Sequence, residues 1–549
     1  MNDAKVKGWL VNLFKKEIIP SEVIFSAGKI LEINPLKESE VPNRYILPGF
    51  IDAHIHVESS MLSPFEFARI ACTHGTIATI SDPHEIANVC GMEGIRYMIE
   101  NSKNAPVNIF YGAPSCVPAT NFETAGAIID SKDIAELMND NDIWYLSEVM
   151  NYPGVLNNDP ELMAKIQAAK NANKPIDGHA PGLRGDLAQQ YAAHGITTDH
   201  ECFTLGEALD KIDAGMKILI REGSAARNYQ ALAPLLKSHP EKVMFCSDDK
   251  HPDELVVGHI NLLVKKAVAE GYDLFDVLKA ACEHPVEHYK IPIGLLKVGD
   301  SADFILVDNL KDFNVLETYN HGVQVAKNGK CNIDFKKIIP INHFKAEKRN
   351  VEDFTYKTTS DIDKIRVIEV LDGQLITQTF IGNSTTSNGN LVSNIDNDIL
   401  KIVVVNRYEK SAPIAIGFVK NFGLKKGAIA SSVAHDSHNI IAIGVNDAEI
   451  CKVVNVLIEN QGGVAVVESE SDFKQSLSLE IGGLMSVEPS EKVADLYHSL
   501  DLKTKEMGCT LKAPFMSMSF LALLVIPSLK LSDKGLFDGN EFVFTSVVI

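Results

Sequence analysis

The chain has 549 residues, more than one domain usually holds, and ordinary domain sizes point to about two to four. Apolar residues at 45% and charged residues at 23% fit a soluble globular protein with substantial cores. A net charge of −20 argues against nucleic-acid binding, which needs a positive surface.

Residues 1 to about 47 alternate short apolar pieces with turn signals, as in EVIFSAGKILEINPLK, and read as strands and turns. From Leu47 to about Ile293 the rhythm changes. GFIDAHIH, TIATISDP, VNIFYGAP, IWYLSEVM, PIDGHAP, TTDHEC, KILIREG and VMFCSDD are strand candidates, most followed by a helical stretch. The first is expected to run from Leu47 to Ile55. Such β/α units, eight in about 250 residues, are what an α/β TIM-like (β/α)8 barrel requires. A doubly wound sheet fits the strand count equally. Polar residues at the ends of many different strands favour the barrel.

After Gly294, LLKVGDSADFILVDN and GVQVAKNGK return to short strands that can complete the N-terminal β-structure. The expected division is a small β-sandwich domain (1–47 and 294–343), an inserted barrel (48–293) and a C-terminal α+β domain (344–549). In the last, GGVAVVES and EFVFTSVVI read as strands, and TTSNGNLVSNIDND as a surface loop. The apolar run FMSMSFLALLVI is fenced by Pro514 and Pro527. A membrane span needs roughly 20 apolar residues, so the run reads as buried core and no membrane partner is expected. The nine cysteines form no CxxC, and MNDAKVKGWLVNLFKK lacks a signal peptide's apolar core, so a reducing, cytoplasmic location is expected.

The chemistry lies at the strand ends. His54 and His56 are two apart on a strand, so both imidazoles face one side. Alone, the pair reads equally as solvated or hydrogen-bonded histidines. Strand 4 ends in Glu148, strand 5 in His179, strand 6 in His200 and strand 8 in Asp248. In a barrel these ends face one cavity. The set of four histidines and two carboxylates suits two divalent ions sharing a carboxylate and a hydroxide.

With these residues in view, PGFIDAHIH, the late strand-end histidines, Asp248 and GDSADF resemble the amidohydrolase superfamily. More narrowly, HIHVESSM, SDPHEIANVCG, SEVMN, DGHAPGL, TTDHE and FCSDD are similar to the bacterial and archaeal adenine deaminases. The similarity extends to KGAIASSVAHDSHN and PFMSMSFLALLVIP, and so covers nearly the whole chain. It implies hydrolysis of adenine to hypoxanthine and ammonia with two Mn²⁺ or Fe²⁺ ions, Zn²⁺ being an accepted substitute. It also implies a homo-oligomer such as a dimer. By the same resemblance His54, His56 and Asp248 hold one ion and His179 and His200 the other. Glu148 stands where many amidohydrolases carry a carboxylated lysine bridge.

Asp248 is the expected proton carrier between nucleophile and leaving group. Glu201 is the first candidate for the acid at ring N1, with Glu85 and Glu58 as rivals. Asp82 and His84 are expected to shape the pocket, hold substrate or accept an additional metal, a plain surface loop being the alternative. Ser59 and Ser60 either contact the purine or cap the helix starting near Ser63. Arg221 and Glu222 either reach the purine edge or form ion pairs at the rim. His435, Asp436 and His438 resemble another ligand cluster, but without a strand-end context they read as surface residues or a lid, and stay outside the metal set. Two rivals remain. One is a binuclear amidohydrolase opening a cyclic amide, against which Glu148 and SDPHE weigh; the other is a non-catalytic metal-binding scaffold. A zinc nucleic-acid deaminase is excluded, since no PCxxC follows the H-x-E at His56–Glu58.

Overall fold

The computed structural model describes residues 3–224, 226–358 and 362–549. All eight strand candidates of the central region form one parallel sheet in chain order. The strands are Phe50–Ile55, Thr76–Ser81, Asn108–Pro114, Ile143–Val149, Ile176–Gly178, Thr198–Asp199, Lys217–Arg221 and Val243–Cys246. The sheet closes on itself just past the eighth strand. There the Asp248 N–H donates to the His54 carbonyl at 2.9 Å, and the His56 N–H to the Asp248 carbonyl at 3.3 Å. Asp248 adopts a left-handed backbone (φ 55°) at this junction, a conformation that Asp tolerates better than most residues. The barrel is thus sealed by the backbone of its own candidate ligands, which ties their positions to the closure.

The N-terminal strands and residues 304–331 share one eight-stranded sheet. Tyr45–Pro48 lies between Ala4–Asn12 and Phe304–Val307 and joins the two parts. This sheet curls over its own core: Phe25 packs on Phe304 and Tyr319 with ring centroids 5.3 and 5.6 Å apart. The two layers of the expected sandwich are therefore one continuous hydrogen-bonded sheet.

The strand expected over Leu47–Ile55 is two strands. Leu47 and Pro48 pair with Ile305 and Phe304 in the outer sheet, and the barrel strand starts at Phe50. Gly49 separates them, and a Cβ there would stand 2.4 Å from the Ile77 side chain in the second barrel strand. Gly49→Ala is expected to destabilise the protein by about 1–3 kcal/mol through overpacking, read as a lower midpoint in urea unfolding. An unchanged midpoint would show that Ile77 yields freely.

In the C-terminal region a third eight-stranded sheet carries Ile399–Val405 and Ile440–Gly444 at its centre and Phe473–Ser478 at one edge. Helix Asp447–Asn460 covers one face, packing Ile450, Val453, Val454 and Leu457 onto Val403, Val405, Ala428 and Ile440. The other side shares a core with the barrel, where Met61, Leu62 and Ile86 join Leu479, Ile481, Leu484 and Met485. The Ser486 N–H reaches the Met61 carbonyl at 2.8 Å. EFVFTSVVI forms a strand only at Val543–Phe544, and both residues are exposed. The 385–398 loop holds a tight hairpin between Thr386–Ser387 and Asn390–Leu391. No helix among the described residues is long and apolar enough to cross a membrane.

Candidate metal centre

Strand alternation places His54 and His56 on one side, with their Nε2 atoms 3.2 Å apart. Glu148, at the end of the fourth strand, stands at the centre of the group. Its Oε1 lies 2.7 Å from His54 Nε2, 2.9 Å from His56 Nε2 and 3.6 Å from His200 Nε2. Its Oε2 faces His179 Nδ1 at 3.0 Å. Asp248 Oδ1 approaches His56 Nε2 at 3.1 Å and His54 Nε2 at 3.7 Å. The His54 and His200 rings stack with centroids 4.1 Å apart. All six expected ligands therefore converge, with both oxygens of Glu148 turned to different histidines.

The donor set fits two divalent ions. Glu148 Oε1 and His179 Nδ1 are buried without an aligned hydrogen-bond partner, although nitrogens and oxygens crowd around them. Atoms converging on a cation show this arrangement, whereas a finished hydrogen-bond network would satisfy them. Behind the ligands, His56 Nδ1 faces the Asp82 carbonyl at 3.1 Å, which fixes the ring so that Nε2 is presented. Burial would raise the Glu148 carboxyl, but the surrounding imidazoles of His56, His200 and His54 hold it well below the usual carboxylate range.

Arg221 does not reach out to a purine edge. Its guanidinium is buried against Glu201 and Asp248, with Nη1 contacting both carboxylates and Nη2 at 3.2 Å from Glu201 Oε2. Asn228 fixes the Arg221 backbone, accepting its N–H at 2.7 Å. Burial opposes the charge on Asp248, and the Arg221 guanidinium beside it holds that carboxyl well below its ordinary range. Glu222 pairs instead with Lys266 at 3.3 Å.

The stretch after His56 is less directly engaged than expected. Ser60 donates to the Val57 carbonyl at 2.6 Å and Ser59 to Asp249. Neither caps the next helix; Ser63 does, accepting the Glu66 N–H at 3.4 Å. Glu58 accepts the Ile86 N–H at 3.2 Å, and burial pushes its carboxyl up to about 7. These contacts turn Ser60 to the backbone of its own turn and Glu58 to the start of helix His84–Ser102. Asp82 Oδ2 lies 3.2 Å from His84 Nδ1, and both residues are buried, not a surface loop.

A narrow cavity of about 30 Å³ opens above the centre. His56, Glu148, His179, His200, Glu201, Arg221 and Asp248 line its barrel side, with His84, Glu85 and Asp249 beside them. The C-terminal domain supplies the opposite wall through Leu375, His435, Asp436, Phe520, Leu523 and Ile526. FMSMSFLALLVI is buried as expected, and part of it is also a ceiling over the metal centre. His435, Asp436 and His438 are buried, not surface residues. The only signals for them in the sequence were the HDSH spacing and the aperiodic apolar run.

Known proteins resemble this chain over nearly its whole length. Residues 45–331 match the amidohydrolase family model, and residues 374–543 match the adenine deaminase C-terminal domain. Among curated relatives, the adenine deaminase of Salinibacter ruber is 51% identical over 540 residues, covering 98% of each chain. That of Sulfurovum sp. is 53% identical over 543 residues, covering 98% of this chain and 99% of the relative. That of Methanosarcina mazei is 48% identical over 555 residues, covering 99% of both.

Proposed function

We propose, for a chain that belongs to the adenine deaminase family of the amidohydrolases, that hydrolysis of adenine to hypoxanthine and ammonia takes place at the centre around Glu148. The carrying observation is the convergence of four strand-end histidines on the Glu148 carboxylate, with Asp248 beside them, beneath an apolar ceiling from the C-terminal domain.

His54, His56 and Asp248 would hold one divalent ion, His179 and His200 the other, with Glu148 between them. When bound, the pair supplies a hydroxide nucleophile at neutral pH. Mn²⁺ and Fe²⁺ suit this imidazole and carboxylate set, and Zn²⁺ is also accommodated. Phe520, Leu523 and Ile526 cover the flat purine and exclude water. Asp248 accepts the proton released as oxygen bonds to C6 and passes it to the amino group, which leaves as ammonia. Glu201, charged at rest against Arg221, takes up the proton that water gives up in forming the hydroxide and delivers it to ring N1, so that hypoxanthine forms as its N1–H, C6-oxo tautomer. Arg221 holds the two carboxylates in place for these transfers. Nine free cysteines fit a reducing, cytoplasmic setting, and the adenine deaminase relatives support a place in purine metabolism. The family resemblance supports a homo-oligomer.

The test is turnover by Mn²⁺-loaded protein with adenine, followed by ammonia and hypoxanthine, beside the Glu201→Gln variant. The wild type should deaminate adenine. Glu201→Gln should lose about 10²- to 10⁴-fold in kcat, the usual weight of a general acid, with unchanged metal content. Ring opening of a cyclic amide without adenine turnover would replace the deaminase reading, and metal binding without either would favour a scaffold. Full turnover in Glu201→Gln would move the acid elsewhere.

A further inference from the structure

Beside the centre just described, four further side chains converge on the cavity wall. Two come from the barrel, at the start of helix His84–Ser102, and two from the C-terminal loop between strands Ala428–Ser431 and Ile440–Gly444. Glu85 Oε1 lies 2.7 Å from His435 Nδ1 and 3.5 Å from His84 Nε2. Asp436 Oδ1 lies 3.9 Å from His84 Nε2 and 4.0 Å from His435 Nδ1. All four residues are at most 4% exposed. We infer that His84, Glu85, His435 and Asp436 form a third divalent-cation site, separate from the pair around Glu148 and bridging the two domains.

The spacing supports a shared ion. Ligand atoms about 2.0–2.2 Å from a tetrahedral metal stand roughly 3.4 Å from one another, and the four separations bracket that value. Two imidazoles and two carboxylates form a donor set for Mn²⁺, Fe²⁺ or Zn²⁺ rather than for Mg²⁺. Independently, Asp436 Oδ2 is buried without an aligned hydrogen-bond partner, so the protein alone leaves that carboxylate unsatisfied. Two facing buried carboxylates are costly without a cation.

The surroundings are those of a ligand set. Asp82 Oδ2 stands 3.2 Å behind His84 Nδ1, the position of a carboxylate that orients a ligating imidazole. His438 contacts Glu85 Oε2 through Nε2, while its Nδ1 accepts the Ala434 N–H at 3.3 Å. His438 therefore presents an N–H to Glu85 and steadies that carboxylate without being a ligand itself. Phe520 stacks on His435, with centroids 4.5 Å apart and planes 12° from parallel. An ion here would pin the C-terminal loop to the barrel rim and hold the cavity wall in place.

The test uses the full chain loaded with excess Mn²⁺ and then desalted. Elemental analysis should find about three ions per chain, and about two in both His435→Asn and Asp436→Asn. Crystals of the loaded wild type, measured at the manganese edge, should show an anomalous peak among the four side chains. Should both variants fail to fold, that peak decides. Two ions in the wild type with no peak there would overturn the site, as would three ions kept by both folded variants. Failure of the binuclear reading would look different: Glu148→Gln would then keep all its ions while His435→Asn lost one.

Discussion

Glu148→Gln should strip the pair of ions from the barrel and abolish most turnover, while leaving the ion between His84 and Asp436 in place. The substitution keeps the side chain's size but removes its charge and replaces one acceptor with an NH₂ donor. Both carboxylate oxygens are committed: Oε1 to His54, His56 and His200 at 2.7–3.6 Å, Oε2 to His179 at 3.0 Å. Whichever way the amide turns, an N–H points at an imidazole nitrogen that should face a cation. Asp248 then remains the only anion of the six. Substitutions merely behind a ligand cost about 10- to 100-fold in metal affinity, so a bridging ligand should cost at least about 100-fold. Elemental analysis after dialysis, with kcat for adenine, reads both effects. Glu148→Asp, which restores the charge on a shorter arm, should recover part of each. Normal occupancy and normal rate in Glu148→Gln would remove Glu148 from the bridge.

Much of the barrel was legible because two local signals coincide in it. Each strand is a short apolar run, and each run ends in a residue that an apolar core would not choose, such as His54, Glu148 or Asp248. Where function depends on contacts between distant segments, the local pattern gave no such warning. His435 and Asp436 sit in a polar stretch that resembles any surface loop, and only docking of the C-terminal sheet onto Met61, Leu62 and Ile86 buries them. Phe520 and Leu523 look like generic core, because lining a cavity and filling a core ask for the same apolar side chains. The serines of VESS illustrate the reverse error: Ser is a good cap anywhere, but Ser63 alone takes that place. Gly49 shows a limit of a different kind. An unbroken apolar run passes from one sheet to another, and the packing of Ile77 against that glycine is what divides it.

Arg221→Met should cost both stability and catalysis, in a way that separates positioning from metal binding. Arg221 is at most 2% exposed and contacts Glu201 and Asp248 at once. A buried cation between two buried anions is the arrangement in which removing one partner is most damaging, about 3–5 kcal/mol, because uncompensated charges stay behind. Met fills much of the volume, so the loss would not reflect a cavity. Two effects on chemistry follow. Glu201 loses both of its guanidinium contacts and with them its aim at ring N1. Asp248 keeps its backbone bonds to His54 and His56, so its place beside the centre survives while its second oxygen is released. The expected outcome is a kcat lower by about 10²- to 10⁴-fold, the range for proton transfers, with two ions still in the barrel. Arg221→Lys should restore stability in part but less of kcat, since one ammonium cannot fork between two carboxylates as a guanidinium does. A folded Arg221→Met enzyme with wild-type kcat would show that Glu201 and Asp248 need no common anchor. Loss of metal with unchanged proton transfer in single turnover would instead place Arg221 among the supports of the ions.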